Sequence, residues 1–310
     1  MVKNIQTYQN FNIKSTHKGS IILIGNFDGL HLGHQKLFKL AEKFKKKYSL
    51  KIGVLTFEPM PKIFFNNDLN NFRIANQKQK INLLKRFDVD FAIIKKFDNK
   101  FSKTKSISFI KNVLNSKLKA KFIFVSNNFR FGNKREGDVK QLIRYENLFD
   151  YKIIKPQPLS QNKKIISSSI IRKLLQTGKL YKANKFLGRP WSIEGRVKKG
   201  RQLGKKIGFP TANIDIQDYV LAKPGVYAVK VKIQNSLKTI KGVANLGYRP
   251  TFNQRKLLLE VHLFNFSKNL YNKYLTVSFI KFIRKEKKFK NIDQLKKQIK
   301  IDLVTAKKAK

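Results

Sequence analysis

At Pro190 the chain changes its period, and that change constrains the fold more than any other feature of the sequence. Before it, apolar runs of strand length alternate with stretches of helical spacing. "SIILIGNF" is followed by "GHQKLFKLAEKFKKKY", in which Leu37, Leu40, Ala41 and Phe44 recur at helical intervals. "LKIGVLTFEP", "DFAIIKKF" and "AKFIFVSNNF" read as further strands, with "QKQKINLLKRF" and "SISFIKNVLNSKL" as the helices between them. Strands separated by helices of about ten to fifteen residues imply βαβ units and a parallel sheet. Two short helices follow in "SIIRKLLQTGKLYKANKFLGRP", with Gly178 and Gly188 placed as C-terminal stops. After Pro190 come "WSIEGRVKKG", "GVYAVKVKI", "KTIKGVANLG", "KLLLEVHLFNF" and "YLTVSFIKFI", short runs punctuated by turn residues, as in an antiparallel sheet or small barrel. The tail "NIDQLKKQIKIDLVTAKKA" reads as one amphipathic helix, with Asn291 and Gln294 spaced as a capping box. The expected fold class is therefore α/β with two domains, residues 1–185 and 186–310.

Composition narrows what such a chain does. Of 310 residues 41% are hydrophobic and 12% aromatic, enough for real cores and too many for disorder. No apolar run reaches membrane length and the start "MVKNIQTYQN" lacks the features of a signal peptide, so a cytoplasmic enzyme or binding protein is expected. The absence of cysteine excludes disulfides, thiolate metal sites and a thiol nucleophile.

The 68 basic against 18 acidic residues, a formal +50, admit two readings. One is a polyanionic partner, nucleic acid or an anionic membrane. The other is a compositional lean, because Lys is scattered along the chain together with abundant Asn, Ile and Phe, residues whose codons are all A/T-rich. Lysine lacks the planar fork with which arginine reads bases, and no basic–aromatic recognition motif is present. Small anionic ligands are expected, with no specific nucleic acid and no membrane, on a monomer or weak homo-oligomer.

Two of the four histidines lie in "GNFDGLHLGH", Gly25 to His34, directly after the first strong strand. In an open α/β sheet ligands bind at the carboxyl ends of strands, where helix N-termini offer free N–H groups. Gly25, Phe27, Asp28 and Gly29 make the turn, and His31 and His34 enter at the helix start, where imidazoles can donate to a phosphate. A metal site would need a third ligand; no cysteine exists, and His17 and His262 are distant in sequence. A phosphate site is favoured.

A second constellation follows Pro190. Five of the sixteen glycines fall between Gly188 and Gly208, ahead of "FPTAN". Gly204, Lys205 and Gly208 form a glycine-rich, lysine-bearing loop suited to phosphate, although it lacks the ending of a P-loop. Thr211 and Asn213 share a side if the segment is extended, and offer two neutral oxygens to Mg²⁺. In "KLLLEVHLF", Leu257, Leu259, Val261 and Leu263 share one face, and Leu258, Glu260, His262 and Phe264 the other. Glu260 reads either as a solvent-facing strand residue or as a general base.

"GNFDGLHLGHQKL", "TFEPMP", "NNFRFGNKREGD" and "ISSSIIRKLLQTG" together resemble the HxGH nucleotidylyltransferase half of the prokaryotic bifunctional riboflavin kinase/FMN adenylyltransferases. "IGFPTANI", "KPGVYAVKV", "GVANLGYRPTF", "LEVHLFNF" and "LYNKYLTVSFIKFIRKEKKF" resemble its riboflavin kinase half. The resemblance implies a Rossmann-like parallel-sheet domain followed by a six-stranded barrel with a terminal helix. It implies ATP phosphates on His31 and His34, with Ser168, Ser169 and Arg172 as a second clamp. Flavin nucleotide contacts would fall at Asn128 and Arg130. In the kinase half it implies Mg²⁺ and ATP phosphate on Thr211 and Asn213, Glu260 as the base on the ribityl 5′-hydroxyl, and Arg284 near the flavin. Riboflavin, FMN, FAD and ATP are the implied substrates and products. Two positions depart from the pattern: Met60 stands where His is usual, and Ser126 where Gly is common. Met60 motivates a rival reading, a kinase whose N-terminal half has lost its chemistry.

Overall fold

In the computed structural model, which describes residues 4–66, 68–161, 164–200, 204, 207–216, 218–250 and 255–309, the βαβ alternation builds one open sheet. Its strands are β1 (Gln6–Tyr8), β2 (Ile21–Ile24), β3 (Ile52–Glu58), β4 (Phe91–Lys96), β5 (Phe122–Phe124) and, after the small antiparallel pair β6 (Arg130–Phe131) and β7 (Gly137–Asp138), β8 (Lys152–Ile154). They lie in the order β1-β4-β3-β2-β5-β8, and every neighbouring pair is parallel. Both faces are covered, as the continuous apolar runs of the sequence require. Ile22 and Ile24 join one core with Leu55, Phe91 and Ile123, while Ile21 and Leu23 join the other with Val54, Ala92 and Phe124. The helices that cover them include α1 (Leu32–Tyr48), α3 (Gln77–Leu84), α4 (Asn99–Ser102) and α5 (Ser106–Ser108), the last continued over Phe109–Lys117 in π geometry; the short α2 (Pro61–Phe64) buries no residue. A short α6 (Val139–Arg144) precedes β8, and the pair β9 (Ser160–Gln161) and β10 (Lys164–Ile165) follows it.

His17, one of the two histidines outside the HxGH stretch, is a core residue. Its ring stacks on Phe91 at 4.4 Å and its Nδ1 lies 2.8 Å from the Tyr8 hydroxyl.

The second unit is a closed antiparallel barrel. β11 (Ser192–Lys198), β12 (Ala212–Asp215), β13 (Gly225–Ile233), β14 (Thr239–Pro250), β15 (Arg255–Leu263) and β16 (Tyr274–Arg284) follow one another around it as β11-β12-β15-β14-β13-β16. Period two decides the interior, which is filled by Ala212, Ile214, Ala244, Leu246, Leu259 and Val261. The terminal helix α9 (Ile292–Lys307) begins with the expected cap, the Gln294 N–H donating to Asn291 Oδ1 at 2.9 Å. It docks through Leu303 and Ala306 on Val226, Ala228 and Val243. Arg284 secures it with a bidentate pair, Nε and Nη2 donating to the buried Asp302 carboxylate at 2.7–3.1 Å.

Packing divides the chain differently from the change of period. One compact unit holds residues 1–70 and 77–167, the other residues 71–76 and 168–310. The reason is apolar. α7 (Ser168–Gln176) and α8 (Leu180–Leu187) contribute Ile171, Leu175, Leu180, Ala183 and Leu187 to the barrel core, and Ile74 joins the same cluster.

Candidate active sites

The chain of the first unit runs from β2 outward through β3 and β4 on one side, and places β5 on the other side of β2. The crevice between the loops after β2 and after β5 is thus the topological switch point, where open α/β sheets bind their ligands. The β2 loop is the glycine-bearing turn. Phe27, Gly29 and Leu30 all take left-handed backbone there, at φ 47°, 76° and 36°. Such a conformation is costly for Phe and Leu, and it is held because both side chains are buried in the core beside Phe38.

His31 is the N-cap of α1, its Nδ1 accepting from the His34 N–H at 3.4 Å. Neutral His31 therefore carries its proton on Nε2. The two imidazoles stack with centroids 3.7 Å apart, and His34 Nδ1 is buried with no hydrogen-bond partner among the described residues. Burial, then the neighbouring His31 and Lys80, hold the His34 pKa well below the ordinary 6.5, so this ring is neutral. Gly33, between them, leaves room for the cap: a Cβ there would lie 3.1 Å from the His31 ring.

Lys80 went unnoticed in the sequence, where "QKQKINLLKRF" reads only as a helix. Its residue is 2% exposed, and Nζ donates to Thr56 Oγ1 at 3.2 Å; that hydroxyl donates in turn to the Asn26 carbonyl at 3.4 Å. The signal was its spacing, four residues before the buried Leu84. Met60 is also buried, 2% exposed, directly after the cis Glu58–Pro59 bond.

The β5 loop carries Ser126, whose hydroxyl donates to Asn128 Oδ1 at 3.0 Å, and Arg130, whose Nε donates to the Arg135 carbonyl at 3.1 Å. Asn127, Asn128, Phe129, Arg130, Arg135 and Asp138 help line a cleft of about 420 Å³. Ser168, Ser169 and Arg172 belong to the second unit, at the start of α7. There the Arg172 guanidinium lies 3.6 Å over the Phe72 ring and Nε donates to the Phe72 carbonyl at 2.8 Å.

On the barrel, register builds the second site. Asn213 on β12 and Asn245 on β14 both pair with Glu260 on β15, so three polar side chains stand in one row on the outward face. Glu260 is half-buried there, between two amides. His262, on the same face, places Nδ1 2.9 Å from the Pro210 carbonyl. Two glycines of the preceding loop are needed for space. A Cβ on Gly200 would overlap the Asn213 amide, and one on Gly204 would overlap the Phe209 carbonyl and lie 3.3 Å from Thr211 Oγ1. Gly208 takes φ 89°. Lys205 lies outside the described residues. Arg284, expected near the flavin, has Nε and Nη2 engaged by Asp302 and Nη1 by the Lys285 carbonyl.

Glu286 was also missed. It follows β16, lies against Gly247 where Asn245 Nδ2 also approaches, and has its pKa raised by burial, against the pull of Asn245 and Arg284.

Comparison with known proteins agrees with both halves of this geometry. The FAD synthetase family model matches residues 13–170 and the riboflavin kinase family model residues 187–310. A bifunctional riboflavin kinase/FMN adenylyltransferase of Buchnera aphidicola subsp. Schizaphis graminum is 40% identical, the alignment covering 96% of each chain. The Escherichia coli K12 protein of the same name is 36% identical over 94% of this chain and 93% of its own. A solved structure titled as a macrolide-efflux protein from Streptococcus pneumoniae superposes with a TM-score of 0.87 at 30% identity, covering both chains completely. That likeness is one of fold; among the described residues no helix is long and apolar enough to cross a membrane. Because matches to both families lie in one chain, and named relatives align along nearly its whole length, the rival of a kinase alone loses its support. The protein belongs to the family of bifunctional riboflavin kinase/FMN adenylyltransferases.

Proposed function

We propose that the two reactions of this family divide along the chain, FMN adenylylation in residues 1–185 and riboflavin phosphorylation in residues 186–310. In the kinase, Glu260 takes the proton of the terminal ribityl hydroxyl as that oxygen attacks the γ-phosphorus of ATP; the O–P bond forms, the bond to ADP breaks, and FMN and ADP leave. The observation that carries this reading is the row Asn213–Glu260–Asn245, a carboxylate flanked across the ladder by neutral amides.

The donor set fits Mg²⁺. Thr211 and Asn213 provide neutral oxygens, Gly200 and Gly204 keep room beside them, and among the described residues no three His, Cys, Asp or Glu side chains converge. A cation held so weakly by protein must be shared with ATP phosphates and water, as Mg²⁺ prefers. When bound it supplies charge neutralisation on the phosphates. Gly204, Lys205 and Gly208 offer backbone and ammonium to the same anion, and Arg284 borders the flavin end.

In the adenylyltransferase, a phosphate oxygen of FMN attacks the α-phosphorus of ATP and pyrophosphate leaves. His31 and His34 hold and neutralise the phosphates, supported by the turn Gly25, Phe27, Asp28 and Gly29. Ser168, Ser169 and Arg172 form the second clamp, and Asn128 and Arg130 contact the flavin nucleotide. We read the +50 charge as compositional, with no specific nucleic-acid partner, in a cytoplasmic monomer or weak homo-oligomer. The test is chromatography of products from Glu260→Gln given ATP, Mg²⁺ and either riboflavin or FMN. FMN formation should disappear while FAD formation from FMN persists; wild-type FMN formation would overturn the assignment.

A further inference from the structure

Gly247 sits on the outward face of β14, two residues beyond Asn245. Its backbone is not left-handed, so no conformational demand explains a glycine in mid-strand, where it weakens the sheet. Space does. A Cβ at this position would overlap Glu286 Oε1 and come 3.5 Å from Asn245 Nδ2. The carboxylate of Glu286 therefore lies flat on the strand at the one point where no side chain rises, beside the Asn245 amide, whose Nδ2 approaches the same point.

That contact has a directional consequence. An ionised carboxylate only accepts hydrogen bonds, so the amide must offer it Nδ2. An asparagine is otherwise free to present either end. With Nδ2 on the side of Glu286, the other end, Oδ1, is left as an acceptor on the far side. Asn245 stands directly across the ladder from Glu260, and its Oδ1 is thus an acceptor in the vicinity of the general base. A polyol chain running past that base presents hydroxyl donors, and an acceptor of fixed direction selects one orientation of it.

We infer that Glu286 and Asn245 are positioning residues of the riboflavin kinase site: Glu286 locks the Asn245 amide so that Oδ1 accepts from a hydroxyl of the ribityl chain beside Glu260. The loop bearing Glu286 is itself secured, because Arg284, two residues earlier, is clamped to Asp302 of α9. The inference rests on Glu260 being the base of this site.

The experiment is steady-state kinetics on the full chain, with riboflavin and ATP varied separately. Glu286→Gln keeps the shape but can donate as well as accept, so it no longer fixes the amide. The KM for riboflavin should rise about tenfold, the loss of one ordinary hydrogen bond at about 1.4 kcal/mol per decade. The KM for ATP and the synthesis of FAD from added FMN should be unchanged. Gly247→Ala, which displaces the carboxylate without removing it, should reproduce the effect, and in a Glu286→Ala background the same Gly247→Ala change should add nothing. An unchanged riboflavin KM in Glu286→Gln, or equal rises for riboflavin and ATP, would overturn the inference. Full kinase activity in Glu260→Gln would instead overturn the reading of the site beneath it, so the two failures are separable.

Discussion

His31 and His34 are two residues of one type with different tasks. The Nδ1 of His31 is committed to capping α1, which leaves Nε2 as the donor, while His34 is kept neutral by its burial. His31→Ala should lower FAD synthesis from FMN by about 10²–10³-fold, the usual cost of removing one donor to a developing anion, and leave FMN formation intact. Product chromatography with each flavin reads both. The same burial makes a statement about stability. His34 and His17 both titrate below 6.5 when folded, in each case chiefly through burial, and at their ordinary value when unfolded. Between those limits the unfolded chain binds more protons, so stability is complete above pH 6.5 and falls as the pH drops below it. Thermal midpoints should decline from about pH 7 to about pH 5.5, and His34→Gln should flatten that decline. At this scale the sequence showed the residues that stand in unusual company, histidines after a glycine turn and a carboxylate among leucines. Lys80 was hidden among 68 basic residues, with only its spacing to Leu84 to mark it, and Glu286, in the lysine-rich stretch after β16, is singled out by packing alone.

Elements were legible in proportion to their burial. β2, β3, β4 and five of the six barrel strands announce themselves as apolar runs, since a strand covered on one or both faces must be apolar there; β12, only "ANID", was not among the runs read. β1 and β8, three residues each at the sheet edges, were not read, because "QTY" and "KII" are too short to show a period. Nor could a 3.6-residue pattern reveal that Phe109–Lys117 winds in π geometry. The pairing of β3 with β4 yields a sharp prediction. A Cβ on Gly53 would enter the Phe91 ring, which is fixed between the sheet and the His17 imidazole. Gly53→Ala should cost ~1–3 kcal/mol through overpacking, seen as a lowered thermal midpoint of the first unit.

For the whole molecule, the period change near Pro190 told where the barrel strands begin but not what the barrel packs with. The barrel unit includes residues 71–76, which lie between stretches of the other unit in sequence. Those residues make specific bonds within it: Trp191 Nε1 donates to the Ile74 carbonyl at 3.0 Å, the Arg73 N–H to the Asp218 carbonyl at 2.8 Å, and the Val220 N–H to the Arg73 carbonyl at 2.7 Å. No periodicity carries such a pairing of distant segments. A fragment of residues 168–310 should therefore unfold about 10 °C below the same unit in the full chain, roughly 3 kcal/mol for a domain of this size. Adding a peptide of residues 70–77 should restore part of the loss, followed through the fluorescence of Trp191, the single tryptophan.

The crowded glycines have a consequence for how this chain can drift. Glycine codons all begin with two guanines, so a sequence leaning towards Lys, Asn, Ile and Phe discards glycine wherever another residue serves. Gly33, Gly53, Gly200, Gly204 and Gly247 each stand where a single methyl group would strike a ring, an amide, a carbonyl or a carboxylate. Contact geometry alone thus makes these glycines a map of the barrel's polar row, the α1 cap and the tightest core of the sheet.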